Sequence, residues 1–150
     1  LDHLNNPTIG YGHKFIWKDK KDTNLHAVTG KWPSHYFDRA AGTDTGVALT
    51  PPQMQQLLGL DMADAVGNAR SAVPIIDDLD PIAGEVLVEM AFQLGGTGLG
   101  DFKKMKAALL QDPPDYDTAA DEILDSKMGR EQTPERAQDY ARRMRSCQGR

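Results

Sequence analysis

An α+β architecture with segregated elements follows from two textures along this chain of 150 residues. The opening stretch, LDHLNNPTIGYGH, holds an acid, two asparagines, a proline and two glycines. Turn formers of this density, closed by the alternating run Thr8-Ile9-Gly10-Tyr11-Gly12-His13, read as a strand, a tight turn and a second strand in which glycine keeps one face clear. From Thr50 onward the apolar spacing becomes helical. The expectation is a small turn and β-hairpin lobe over residues 1–49 and a larger, all-helical lobe over residues 50–150. A cleft between two lobes is the natural consequence.

Each element has a local reason. Thr50-Pro51-Pro52-Gln53 has the form of a capping box with prolines in the first turn, where a missing N–H costs nothing, so a helix starts there. Its stripe of Met54, Leu57, Leu58, Ala65 and Val66 places Asp61 in register with the apolar positions. Either the helix end rises to solvent at that point, or the acid forms an ion pair with a histidine, for which His13 is the candidate. Asp80-Pro81 opens a second helix that is apolar nearly all round, from Ile82 to Leu94, until Gly95 caps it. Shorter helices are expected from Asp101, from about Thr118 and from Thr133-Pro134, each behind a capping residue.

Composition narrows the function classes. Apolar residues make up 39% and charged residues 26%, ordinary for a globular domain, and no apolar run approaches the roughly 18 residues of a membrane span. No basic, apolar leader is visible, yet the chain starts on Leu1 rather than methionine. That start fits a piece of a longer or processed protein. The net charge is −5, but residues 127–150 hold seven bases against three acids. A basic end on an acidic body fits either a solvated helix face or an anionic polymer as partner. Nucleic acid is not expected, because the field of the whole molecule opposes it. The lone Cys147 can form no internal disulfide.

Several constellations can be weighed on residue type. His3, His13, His26 and His35 lack the i, i+4 spacing of a helical zinc site, so no metal is expected. The run from Gly95 to Gly100 leaves a helix rather than a strand and has no lysine in the phosphate-binding place, so it reads as a loop. Neither Ser34 nor Ser126 has the flanking glycines of a nucleophile elbow. Glu85 and Glu89 share one helix face, as paired carboxylates for acid and base work or as a narrow polar strip on a core helix. The aromatics Phe15, Trp17, Trp32, Tyr36 and Phe37, interleaved with lysines, read as a sugar-stacking wall or as a small local core. Asp2 and Thr8 flank the turn Leu4-Asn5-Asn6-Pro7, where a carboxylate and a hydroxyl can hold one water between them or simply bond to the backbone.

Three stretches in order give these pieces a common reading. LDHLNNPTIGYGH resembles the strand-turn-strand of the phage-type lysozymes, the T-even bacteriophage endolysin family of glycoside hydrolase family 24, where an acid precedes Thr-Ile-Gly-x-Gly-His. MAFQLGGTGLGDF, from Met90 to Phe102, resembles that family's Phe-Gln-Met-Gly-x-Thr-Gly helix exit. REQTPERA, from Arg130 to Ala137, resembles its Gln-Thr-Pro-x-Arg-Ala helix start.

The resemblance implies a lysozyme-like fold and a muramidase that cleaves the β-1,4 bond between N-acetylmuramic acid and N-acetylglucosamine by inversion, with no cofactor. Asp2 becomes the carboxylate that steers water and balances the oxocarbenium charge, with Thr8 beside it. His13 and Asp61 become a structural bridge. Phe92, Gln93, Gly95, Gly98 and Phe102 would face the saccharide, and Arg136 would pair with the catalytic acid. That acid is a glutamate of the family's N-terminal helix, and its place falls before residue 1. The expected partner is bacterial peptidoglycan at the cell wall, in the periplasm of a host or target cell, with an inhibitor or immunity protein as a further candidate. A monomer is expected. The alternative is a catalytically incomplete module that binds peptidoglycan or an inhibitor without turnover. A lytic transglycosylase would need only one acid, and the Asp2 and Thr8 pair argues against it. The segment from Lys14 to Gly46 is longer than the family's small lobe.

Overall fold

The computed structural model describes residues 8–17, 20–95 and 98–147. It combines helices with two small antiparallel sheets, an α+β fold. The chain forms two compact units, Leu1–Ala63 and Asp64–Arg150. The boundary falls inside a helix, later than the change of texture at residue 49, because the first turns of that helix supply Leu57 and Asp61 to the first unit.

In the first unit, β1 (Thr8–Ile9) pairs antiparallel with β2 (His13–Lys14), with Thr8 opposite Lys14 and Ile9 opposite His13. The turn between them is Gly10-Tyr11-Gly12, and both glycines have positive φ, +62° and +89°. They serve the turn rather than clear a strand face: only glycine takes this backbone without strain, and a Cβ at Gly10 would meet Leu49 Cδ1 at 3.3 Å. Helix α1 (Thr23–Thr29) follows, capped by Asp22 and ended by Gly30 in the left-handed conformation. A 3-10 turn at Pro33–His35 leads to a second hairpin, β3 (Phe37–Asp38) with β4 (Thr43–Asp44). Phe15, Leu25, Tyr36 and Leu57 form the buried centre, with Ile9, Trp17, Val28, Phe37 and Leu49 packed around it. Phe15, Trp17, Tyr36 and Phe37 thus belong to a small local core, while Trp32 stacks on His26 at 4.0 Å. Phe15 meets Trp17 edge-on at 5.4 Å, and Trp17 meets Phe37 at 6.1 Å.

Helix α2 (Pro51–Ala72) starts where the capping box predicts it. The Thr50 amide donates to Gln53 Oε1 at 2.9 Å, and the Gln53 amide donates to Thr50 Oγ1 at 3.3 Å. Helix α3 (Pro81–Leu94) has Asp80 as its cap, accepting from the Ile82 amide at 2.9 Å, and Gly95 ends it with φ +70°. Its buried face holds Ala83, Val86, Leu87, Met90, Ala91 and Gln93, while Ile82, Glu85 and Glu89 are exposed, so the helix is amphipathic rather than apolar all round.

The expected helix at Asp101 is a 3-10 turn, Gly98–Asp101, and α4 (Lys103–Leu109) follows it. Helix α5 (Tyr116–Leu124) begins before Thr118, because Asp115 is the cap and accepts from the Thr118 amide at 3.0 Å. A π-turn, Met128–Gln132, leads into α6 (Pro134–Arg145). The core of the second unit gathers Ala69, Val86, Leu87, Met90, Leu109, Ile123 and Met144. Among the described residues, no helix is long and apolar enough to cross a membrane.

Candidate functional site

In the first unit the sequence places a histidine on the strand that leaves a tight turn, an aspartate at the cap of the next helix and another on α2. The fold brings all three together. His13 is 6% exposed, Asp22 is fully buried and the Asp61 side chain is 14% exposed. Nδ1 of His13 lies 2.7 Å from Asp61 Oδ2, and Nε2 lies 2.8 Å from Asp22 Oδ1 and 3.0 Å from Oδ2. A carboxylate only accepts, so both ring nitrogens must carry protons to serve both partners. The histidine is an imidazolium. Burial by itself lowers its pKa, but the hydrogen bonds it donates to Asp22 and Asp61, and then their charges, outweigh this and raise it from 6.5 to about 9.

Asp22 does more than face the ring. Its Oδ2 accepts from the Ile16 amide at 2.9 Å and its Oδ1 from the Leu25 amide at 3.3 Å, so one carboxylate joins the exit of β2 to the start of α1. Asp61 in turn accepts from Asn24 Nδ2 at 3.1 Å. The three links, hairpin to α1, hairpin to α2 and α1 to α2, close a ring of charge-assisted bonds.

Of the sequence-derived site residues, His13 and Asp61 are therefore in contact. Asp2, together with the turn at residues 4–7, lies outside the described residues. Thr8 is half-buried on β1, opposite Lys14. Neighbouring residues across this pleat point to opposite faces. Ile9 and His13 take the packed side, and Thr8 and Lys14 take the other.

In the second unit Gln93 is 5% exposed, and its amide is engaged at both ends. Nε2 donates to Thr133 Oγ1 at 2.9 Å, and Oε1 accepts from the Tyr140 hydroxyl at 2.9 Å. This bolts α3 to the start of α6, and it explains why Thr133 makes no side-chain cap bond to α6. Phe92 and Phe102 are half-buried against the core of this unit. Gly95 ends α3 and Gly98 begins the following 3-10 turn. Arg136 is exposed on the first turn of α6. Burial raises the Tyr140 phenol, and the nearby Arg136 charge opposes the shift.

Glu85 and Glu89 are exposed, and Arg143 of α6 lies against both, 3.9 Å from Glu85 and bonded to Glu89. Arg143 also pairs with Asp139, and Arg145 pairs with Asp121. These contacts make the two glutamates a polar strip tied to α6, and they pair Arg143 and Arg145 of the basic end with acids of the same unit. A groove of about 400 Å³ lies in the same unit, lined by Val66, Arg70, Ile76, Leu79, Gly84 and Val88 among others. None of the described site residues lines it.

Among the described residues, no group of His, Cys, Asp and Glu is arranged to hold a metal ion. Compared with models of known protein families, the chain matches none.

Asp22 is the residue that sequence reasoning missed. Its signal was local: an acid directly before Thr23-Asn24-Leu25, in the position of a helix cap. The helix it caps is only seven residues long, too short for its apolar period to stand out among lysines and aromatics.

Proposed function

We propose that the chain is the greater part of a phage-type lysozyme domain and acts as a muramidase on bacterial peptidoglycan at the cell wall. The observation that carries this reading is the 2.7 Å contact between His13 and Asp61. The family resemblance implies that pair, and the register of α2 offers it as one of two readings of Asp61. Two lines with different origins meet on the same two residues.

The chemistry asked of the site is inversion at an acetal carbon. A general acid protonates the leaving oxygen, and a carboxylate on the other side of the bond activates a water, with the two carboxyl groups roughly 6.5–9.5 Å apart. Asp2 takes the second part and removes the proton of the attacking water. The Thr8 hydroxyl accepts a hydrogen bond from that water and fixes its aim. The first part belongs to a glutamate upstream of Leu1. Phe92, Gly95, Gly98, Phe102 and Arg136 contribute to saccharide binding in this reading, while Gln93 acts through the helices it bolts together.

The experiment that tests it is hydrolysis of purified peptidoglycan by the chain extended upstream through the glutamate, with Asp2→Asn beside it. The reading expects turnover in the parent and loss of at least about 100-fold in kcat for the variant, with saccharide affinity nearly unchanged. Saccharide binding without turnover in the extended parent would replace the muramidase with a binding module.

A further inference from the structure

The ring of bonds around His13 acts on the hairpin from one face, and Thr8 lies on the other. Ile9 and His13, paired across the hairpin, are held on the packed side, Ile9 against the small core and His13 between two carboxylates. The hairpin itself is only two residue pairs long. So short a ladder has no stability of its own. Its attitude is set by what its packed face is fastened to.

We propose that Asp22 is a positioning residue for the proposed reaction: by holding the protonated His13 against α1 while Asp61 holds it against α2, it fixes the hairpin and with it the placement of the Thr8 hydroxyl. The inference deepens the muramidase reading and rests on it for its catalytic meaning.

The geometry distinguishes Asp22 from an ordinary helix cap. A cap needs one oxygen toward the first turn, which Oδ1 supplies to Leu25. The same carboxylate also takes His13 Nε2 and the Ile16 amide, the two points where β2 leaves the hairpin. Among the described residues, the charged groups facing the ring are Asp22 at the start of α1 and Asp61 on α2; Asn24, also of α1, is neutral, and the Phe15 ring of β2's own continuation stands edge-on at 6.3 Å. With these two carboxylates facing it, the imidazolium keeps its proton across the neutral range, and the hairpin stays fastened there. Loss of that proton leaves only one N–H for two acceptors, and one of the fastenings opens.

The test is an NMR pH titration of the 150-residue chain, following the imidazole protons of His13 and the amide and methyl signals of Thr8. The expected result is that Thr8 is silent through neutral pH and then shifts together with His13 near pH 9. In Asp22→Asn the amide oxygen still caps α1, but one carboxylate facing the ring is gone. Both titrations should then fall together toward the ordinary imidazole range. Thr8 signals that ignore the His13 titration, or a His13 titration unmoved in Asp22→Asn, would overturn the proposal. Should that variant fail to fold, the coupling in the parent and in Asp61→Asn decides, since His13 must there retain a raised titration through Asp22 alone. In the upstream-extended chain, Asp22→Asn should lower kcat, toward about 100-fold, and move the alkaline limb of the kcat profile downward with KM little changed. An unmoved limb in an active variant would count against Asp22. An inactive parent whose Thr8 still follows His13 would instead sink the muramidase reading and leave the positioning of the hairpin standing.

Discussion

His13 shows how one side chain can carry a pH dependence for the whole first unit. Its pKa in the folded protein, about 9, lies above the 6.5 of an unhindered imidazole. The folded state therefore binds the proton more tightly than the unfolded state. The associated stability is complete below about pH 6.5, declines as pH rises, and is gone above about pH 9. The size of the shift corresponds to something on the order of 3 kcal/mol. Denaturant midpoints measured at pH 6 and pH 10 should differ in that direction, and His13→Asn should lose more than about 1 kcal/mol at pH 6 and most of the difference between the two pH values. A parent equally stable at both would contradict the bonding described. Gln93→Leu should also destabilise the fold. It leaves the hydroxyls of Thr133 and Tyr140 without the amide they share, and a loss of about 1–3 kcal/mol is expected in urea unfolding. At the level of single residues, the sequence disclosed Asp61 because an acid in an apolar stripe is conspicuous. It did not disclose the engagement of Gln93, because nothing local distinguishes a glutamine that meets a substrate from one that meets a tyrosine 47 positions away.

Among the elements, those with caps of unambiguous chemistry were legible. Thr50 to Gln53 and Asp80-Pro81 start α2 and α3 where the residues say they should. Where two capping residues compete, the boundary moved. Asp115 and Thr118 are both good caps, and Asp115 wins because its carboxylate takes the Thr118 amide and also the Thr118 hydroxyl, at 2.6 Å. The 3-10 turn after α3, the π-turn before α6 and the short α1 left no periodic trace, since each is too brief to repeat. The π-turn has a specific requirement. A Cβ at Gly129 would overlap the Leu124 carbonyl oxygen, a backbone atom that cannot swing aside. Gly129→Ala should therefore lower the thermal midpoint through a loss of about 1–3 kcal/mol. The second hairpin offers a control: Gly42 has nothing within 4 Å of such a Cβ, so any cost there comes only from its φ of +70°.

For the molecule as a whole, the sequence reads as a smaller lobe of turns, strands and aromatics over residues 1–49 and a larger helical one over residues 50–150. The composition carried that distinction, because the first segment is poor in aliphatic residues and must build its centre from Phe15, Tyr36 and their neighbours. The place of division was less legible. A helix starting at Pro51 looks like the beginning of the second unit, yet its first turns complete the core and the charged ring of the first. Charge is a similar case: the basic residues over 127–150 read either as a solvated helix face or as a surface for an anionic partner, and on α6 Arg142, Arg143 and Arg145 pair with acids of their own chain. The proposed reaction is tested most directly by the products from purified peptidoglycan treated with the upstream-extended chain. Reducing N-acetylmuramic acid ends, formed with inversion and lost in Asp2→Asn, are the predicted result. Anhydro-sugar ends, or no cleavage at all, would contradict it.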